Sequence, residues 1–131
     1  MWYLIADHEE RSQRRLRLLL EEEGRCCTVS RTGLATMHLL QRTPTYRIIF
    51  IAQHLPGLNG IRLLQAVSEQ PALYQGRIFV LLSQEKAETL VPQLPTTSDL
   101  TLFLMHDPPN VLAIRRLMML VEKLLDQTPL N

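Results

Sequence analysis

Side chains able to do chemistry are few in this chain, and they sit at the ends of apolar runs. Asp7 and His8 follow WYLIA, His54 lies just beyond IIFIA, Ser83 ends IFVLLS, and His106 and Asp107 follow LFLM. Carboxylate oxygens are hard ligands of the kind magnesium requires, and imidazole beside carboxylate can hold zinc or another transition metal. The same residue types can instead form an ionic or hydrogen-bonded cluster that steadies loops without metal. Histidine protonation would make such a cluster respond to pH between about 5 and 8. No glycine-rich cofactor loop and no hydrolytic constellation is visible, so the residues give an enzyme no support. Cys26 and Cys27 are adjacent in an apolar run, which suits two small buried or half-buried side chains better than a disulfide framework or a metal site.

The elements that must position these residues follow from apolar periodicity. Short apolar runs alternate with segments of helical period, the signature of β-α pairs around a parallel sheet. The first strand is Trp2 to Ala6, and a helix from about Glu9 to Glu23 buries Leu16, Leu19 and Leu20 before Gly24 ends it. Cys26 to Ser30 is the second strand, and Gly33 to Gln41 a helix with Leu34, Met37 and Leu40 inward, stopped by Pro44. Arg47 to Ala52 and Arg77 to Ser83 are unbroken apolar rows, the pattern of central strands buried on both faces. Between them HLPGLNG turns into a helix whose Ile61, Leu64 and Val67 face inward. Glu85 to about Leu94 is a weaker helix ended by Pro92 and Pro95, Leu100 to Met105 is the fifth strand, and Pro109 to about Asp126 is a long last helix. The reading is one domain over residues 1–126, with 127–131 a tail or the start of a linker.

Composition narrows the class further. Of 131 residues, 14 are basic and 13 acidic, a formal net charge of +1, so nothing drives the whole chain toward nucleic acid or acidic membranes. The arginines of the first helix are bracketed by Glu9, Glu10, Glu21 and Glu22 at helical spacings, as on a solvated face. No apolar run approaches the roughly 20 residues of a membrane span, and MWYLIADHEE lacks the basic start of a signal peptide. A cytoplasmic protein is the expectation.

Three stretches carry a family resemblance. IIFIAQHLPGLNGIRLLQAV resembles the third strand, phosphorylation loop and third helix of the receiver domain of bacterial two-component response regulators. LIADHEERSQRRLRLLLEEEG is similar to that family's first strand, acidic pair and first helix. IFVLLSQ and LFLMHDPP resemble the strand with a hydroxyl residue and the strand that ends in lysine-proline. The resemblance implies a flavodoxin-like fold: a three-layer, doubly wound α/β domain with a five-stranded parallel sheet in the order 2-1-3-4-5.

It also implies what the chemistry would need. A working receiver uses an aspartate at the end of the third strand as nucleophile, with magnesium held by acidic side chains. Counting back four residues from Pro56 places that position on Ala52. Of the acidic pair, Asp7 remains and His8 takes the second place. The lysine position is Asp107, of opposite charge, and only the hydroxyl residue is retained, as Ser83. The resemblance thus implies an atypical receiver, or pseudo-receiver: no enzyme, no cofactor, and magnesium binding lost or weak. It would act by phosphorylation-independent contact with a signalling protein or an output domain. The family's face of fourth helix, fifth strand and fifth helix is its usual dimer and partner surface, which here points to Leu104, Leu112, Arg115, Arg116 and Met119. The alternative is a conventional phosphorelay receiver phosphorylated at a non-standard residue such as a histidine.

Overall fold

The computed structural model describes residues 2–96 and 100–127. Strands and helices alternate along it: β1 (Trp2–Ala6), α1 (Glu10–Glu22), β2 (Cys27–Ser30), α2 (Gly33–Arg42), β3 (Tyr46–Ala52), α3 (Gly60–Ser68), β4 (Ile78–Ser83), α4 (Ala87–Leu90), β5 (Thr101–His106) and α5 (Val111–Gln127). All strand pairs are parallel and the order is β2-β1-β3-β4-β5, as the resemblance implies. Gln127, assigned by sequence to a tail, closes α5, and residues 128–131 lie outside the described residues. No described helix is long and apolar enough to cross a membrane.

Successive side chains of a strand point to opposite faces, so a strand buried on both sides must supply apolar residues to two layers at once. β3 does this: Ile49 and Ile51 pack with α2 and α3 on one face, while Ile48 and Phe50 pack with α1 and α5 on the other. In β4, Phe79 and Leu81 join the first layer and Ile78, Val80 and Leu82 the second. α5 buries Ile114, Leu117, Met118, Val121 and Leu125 and leaves Leu112, Met119 and Leu120 exposed. At the start of β1, the Tyr3 hydroxyl donates to Glu122 of α5 at 2.8 Å, and Arg25 pairs with the same carboxylate at 2.7 Å. Three separate parts of the chain meet there.

Helix ends follow side-chain chemistry. Thr32 accepts the Ala35 N–H, Asn59 that of Arg62 and Asn110 that of Ala113, each capping an N-terminus. Gly24, at φ +78°, closes α1 with its N–H on Glu21 O, while Arg25 N–H reaches Leu20 O. Arg77, expected to open β4, precedes it. Its guanidinium is buried, donates to Leu40 O at 2.7 Å, and so caps the C-terminal turn of α2 while lying over the Tyr74 ring.

Other expectations need correction. α4 is a single turn, Ala87–Leu90, followed by a 3-10 turn over Val91–Gln93, because Pro92 and Pro95 remove backbone donors where a longer helix would need them. Leu34 points outward, 69% exposed, and Thr36 takes the buried place, its hydroxyl paired with Ser30. Cys26 is exposed and only Cys27 is half-buried, its thiol pushed up to about 11 by that burial.

The segment after β3 is wedged against two helix starts. Gly33 N–H donates to Pro56 O and Gly60 N–H to Gln53 O. A Cβ on Gly33 would lie 1.9 Å from Leu58 O, and one on Gly60 would lie 2.6 Å from Ala52 O. Backbone cannot yield as a flexible side chain can. Gly33→Ala is therefore expected to cost roughly 1–3 kcal/mol or more. Gly24→Ala, with open space around it but an unfavourable φ, should cost about 1 kcal/mol. Urea unfolding midpoints of the two variants should rank in that order.

Candidate functional site

In a doubly wound sheet the loops beyond the carboxyl ends of the strands form the natural crevice. Here it has a volume of about 670 Å³, and its lining includes Asp7, His8, Glu9, Ala52, Gln53, His54, Ser83, Glu85 and Asp107. Strand register brings these residues level. Ala6 sits beside Ile51 and Ala52 beside Leu82, so β1, β3 and β4 end together, and Ser83 sits beside His106 at the end of β5. Ala52 forms the floor, only 8% exposed.

Ser83 is the junction of three loops. Its carbonyl accepts the Asp107 N–H at 3.0 Å, its hydroxyl oxygen accepts the Glu85 N–H at 3.0 Å, and its hydroxyl donates to the side-chain oxygen of Gln53. Gln53 Nε2 in turn donates to Glu85 Oε2 at 2.9 Å. The hydroxyl is thus fully engaged inside the protein.

The crevice is acidic: among the described residues no lysine or arginine lines it, while Asp7, Glu9, Glu85 and Asp107 all do. Asp7 is 7% exposed and accepts the Glu9 N–H at 3.0 Å. Burial raises its carboxyl above the usual carboxylate range, the Glu9 N–H pulls it back in part, and the charge of Asp107 raises it further. Asp107 is raised chiefly by burial and then by Glu9, with His106 and Arg15 opposing. Beyond burial, the charge of Glu9 makes both aspartates harder to ionise, and that of Asp107 does the same to Asp7.

Comparison with known proteins accords with this geometry. No protein-family model matches the chain. A stretch of 67 residues, 51% of the chain, is 40% identical to the hydrogenase transcriptional regulatory protein HoxA of Cupriavidus necator, and it spans 14% of that protein's length. Among solved structures, the signal receiver domain of an HD domain-containing protein from Pseudomonas fluorescens superimposes with a TM-score of 0.79 at 18% identity, covering 95% of this chain and 88% of that one. A response regulator receiver domain from Methylobacillus flagellatus gives 0.73 at 18% identity over 92% and 98% of the two chains. A Francisella response regulator receiver domain gives 0.75 at 23% identity over 95% and 96%. The chain has the fold of response-regulator receiver domains.

Within the receiver fold, all five residues singled out for the degenerate site, Asp7, His8, Ala52, Ser83 and Asp107, line the one crevice. His8 is exposed and makes no hydrogen bond or ion pair with Asp107 among the described residues. Nor do any three His, Cys, Asp or Glu side chains converge among them as a metal would need. The surface residues are more scattered. Leu112, Arg116 and Met119 are exposed on α5, Arg115 turns to α1 and pairs with Glu23, and Leu104 packs in the layer on the other face of the sheet from α5. Sequence reasoning missed Gln53 and Glu85. Their signal was position alone: polar residues one and two places beyond the ends of the two buried strands.

Because the folded state raises the Asp7 pKa, it binds that proton more tightly than the unfolded chain does. The resulting penalty is complete above the folded pKa and fades as pH falls through it toward the ordinary value of 3.8. Asp7→Asn keeps the oxygen that accepts the Glu9 N–H and removes the charge. The variant should raise the thermal midpoint at neutral pH, with a gain that shrinks toward pH 4. Melting curves across that range check the sign, and a gain that grows in acid would contradict it.

Proposed function

We propose that this chain is a receiver module that has given up phosphoryl chemistry and works in signal transduction by binding another protein, a pseudo-receiver. One observation carries the reading: the end of β3, where the receiver reaction needs a carboxylate nucleophile, presents the methyl group of Ala52 on the crevice floor. A methyl group cannot form an acyl phosphate. On this reading the domain catalyses nothing itself.

The surroundings support the same conclusion. A phosphoryl group in this crevice would meet the carboxylates of Asp7, Glu9, Glu85 and Asp107 with no lysine or arginine in the lining to offset them. The Ser83 hydroxyl is already donated to Gln53. Magnesium requires a near-octahedral set of oxygen ligands. The crevice has carboxylates, but no three Asp, Glu, His or Cys side chains among the described residues come together as a metal would need, and the side chain of Ala52 adds no ligand at the end of β3. Weak or absent magnesium binding is part of the proposal.

The partner in this reading is a signalling protein or an output domain. The relatives give examples: one is a transcriptional regulator, one an HD domain-containing protein, and another solved neighbour is a probable two-component system response regulator/GGDEF domain protein. The exposed Leu112, Arg116 and Met119 support a contact on α5, by a partner or by a second copy using the face of α4, β5 and α5.

Incubation with acetyl phosphate and magnesium, followed by intact-mass measurement, should leave the mass unchanged. A stable gain of one phosphoryl group, on a histidine or elsewhere, would overturn the reading.

A further inference from the structure

Gln53 joins two loops that the sheet alone leaves separate. It is the first residue after β3, and its side chain crosses to the end of β4, where it meets Ser83 and Glu85. Glu85 offers a carboxylate, which when ionised only accepts, so the amide must turn its NH₂ toward Glu85 and its oxygen toward the Ser83 hydroxyl. The Ser83 oxygen then receives the Glu85 N–H at 3.0 Å, and a closed circuit of three residues results. A primary amide can serve both neighbours at once because it carries a donor and an acceptor at the same end. A glutamate here would satisfy Ser83 and repel Glu85.

What this circuit restrains is otherwise poorly held. α4 is four residues long, and its N-cap residue, Lys86, makes no side-chain capping bond. Residues 84–89 are all exposed, and Leu90 is the buried anchor of the segment. A helix of one turn does not sustain itself on backbone hydrogen bonds alone. The outer attachment of the segment runs from Gln93, whose carbonyl accepts from Gln65 Nε2 of α3 at 3.0 Å.

We infer that Gln53 is a positioning residue that latches the segment 84–93 to the end of β3, so that the crevice floor and the outer surface of α4 are coupled. A ligand or partner group that takes the amide's place on Ser83 or Glu85 frees α4, and the coupling runs equally in the other direction. This device is independent of whether the chain accepts phosphate, since it is built from neutral and acidic side chains already in contact.

Amide hydrogen exchange on the full chain tests it. Gln53→Ala is expected to speed exchange in residues 84–94 by about five- to tenfold, while β1, β3 and β4 stay within about twofold of the parent. Gln53→Glu should do the same, through repulsion of Glu85. Glu85→Gln, whose side-chain carbonyl can still accept from Gln53, should leave exchange near the parent's. Should Gln53→Ala fail to fold, Glu85→Ala cuts the outer bond at an exposed residue and should speed the same segment severalfold. Unchanged exchange in 84–94 for Gln53→Ala, or for Glu85→Ala in its place, would overturn the inference. So would acceleration spread evenly over the strands, which marks a general loss of stability.

Discussion

Two strands that must bury both faces set the terms for everything else in this domain. β3 and β4 give alternate residues to two different apolar layers, and a slip of one residue would send each side chain to the wrong layer. Their register is therefore fixed by the core, and with it the height at which each strand stops. Ala52, Ser83 and, through β5, His106 end at one edge because the apolar rows beneath them admit no other alignment. The crevice is thus positioned by core packing beneath it.

Carboxylates dominate its electrostatics. The described lining holds no lysine or arginine, and burial, with the charge of Glu9 added, raises both Asp7 and Asp107. Polar satisfaction comes instead from an amide and a hydroxyl, Gln53 and Ser83, which need no ion and no protonation change to stay paired. Elsewhere the chain does use charge for cohesion. Glu122 draws Tyr3 and Arg25 together, and its carboxylate together with burial raises the Tyr3 hydroxyl well above its ordinary range. The contrast is between a carboxylate with two donors and several carboxylates with few.

The sequence was most legible where a single physical rule dominated. Unbroken apolar rows identified β3 and β4, and turn chemistry identified the loop before Gly60. The apolar row also gave the end of β3 at Ala52, where the strand does stop. Periodicity misplaced Leu34, since α2 turns Thr36 inward to meet Ser30 and so rotates Leu34 to solvent. It lengthened α4, because the apolar residues of that segment outvoted its two prolines. Gln53 and Glu85 were illegible for a different reason. A hydrogen bond between residues 32 apart leaves no pattern in either neighbourhood, and only the register of the sheet reveals it. Arg77 misled in the same way, reading as a strand residue while serving a helix on another layer.

Arg77 also ties the far end of the sheet together without a counter-charge. Its guanidinium donates to a peptide carbonyl of α2 and lies over an aromatic ring, neither of which gains or loses a proton in ordinary acid, while its buried Nε has no hydrogen-bond partner among the described residues. Strand register puts Tyr3 level with Ile78, the residue after Arg77, and there Arg25 is held by the charge of Glu122. Two cations thus anchor the same end of the domain by different means, one through a neutral dipole and a ring that salt hardly touches, the other through an ion pair that salt weakens.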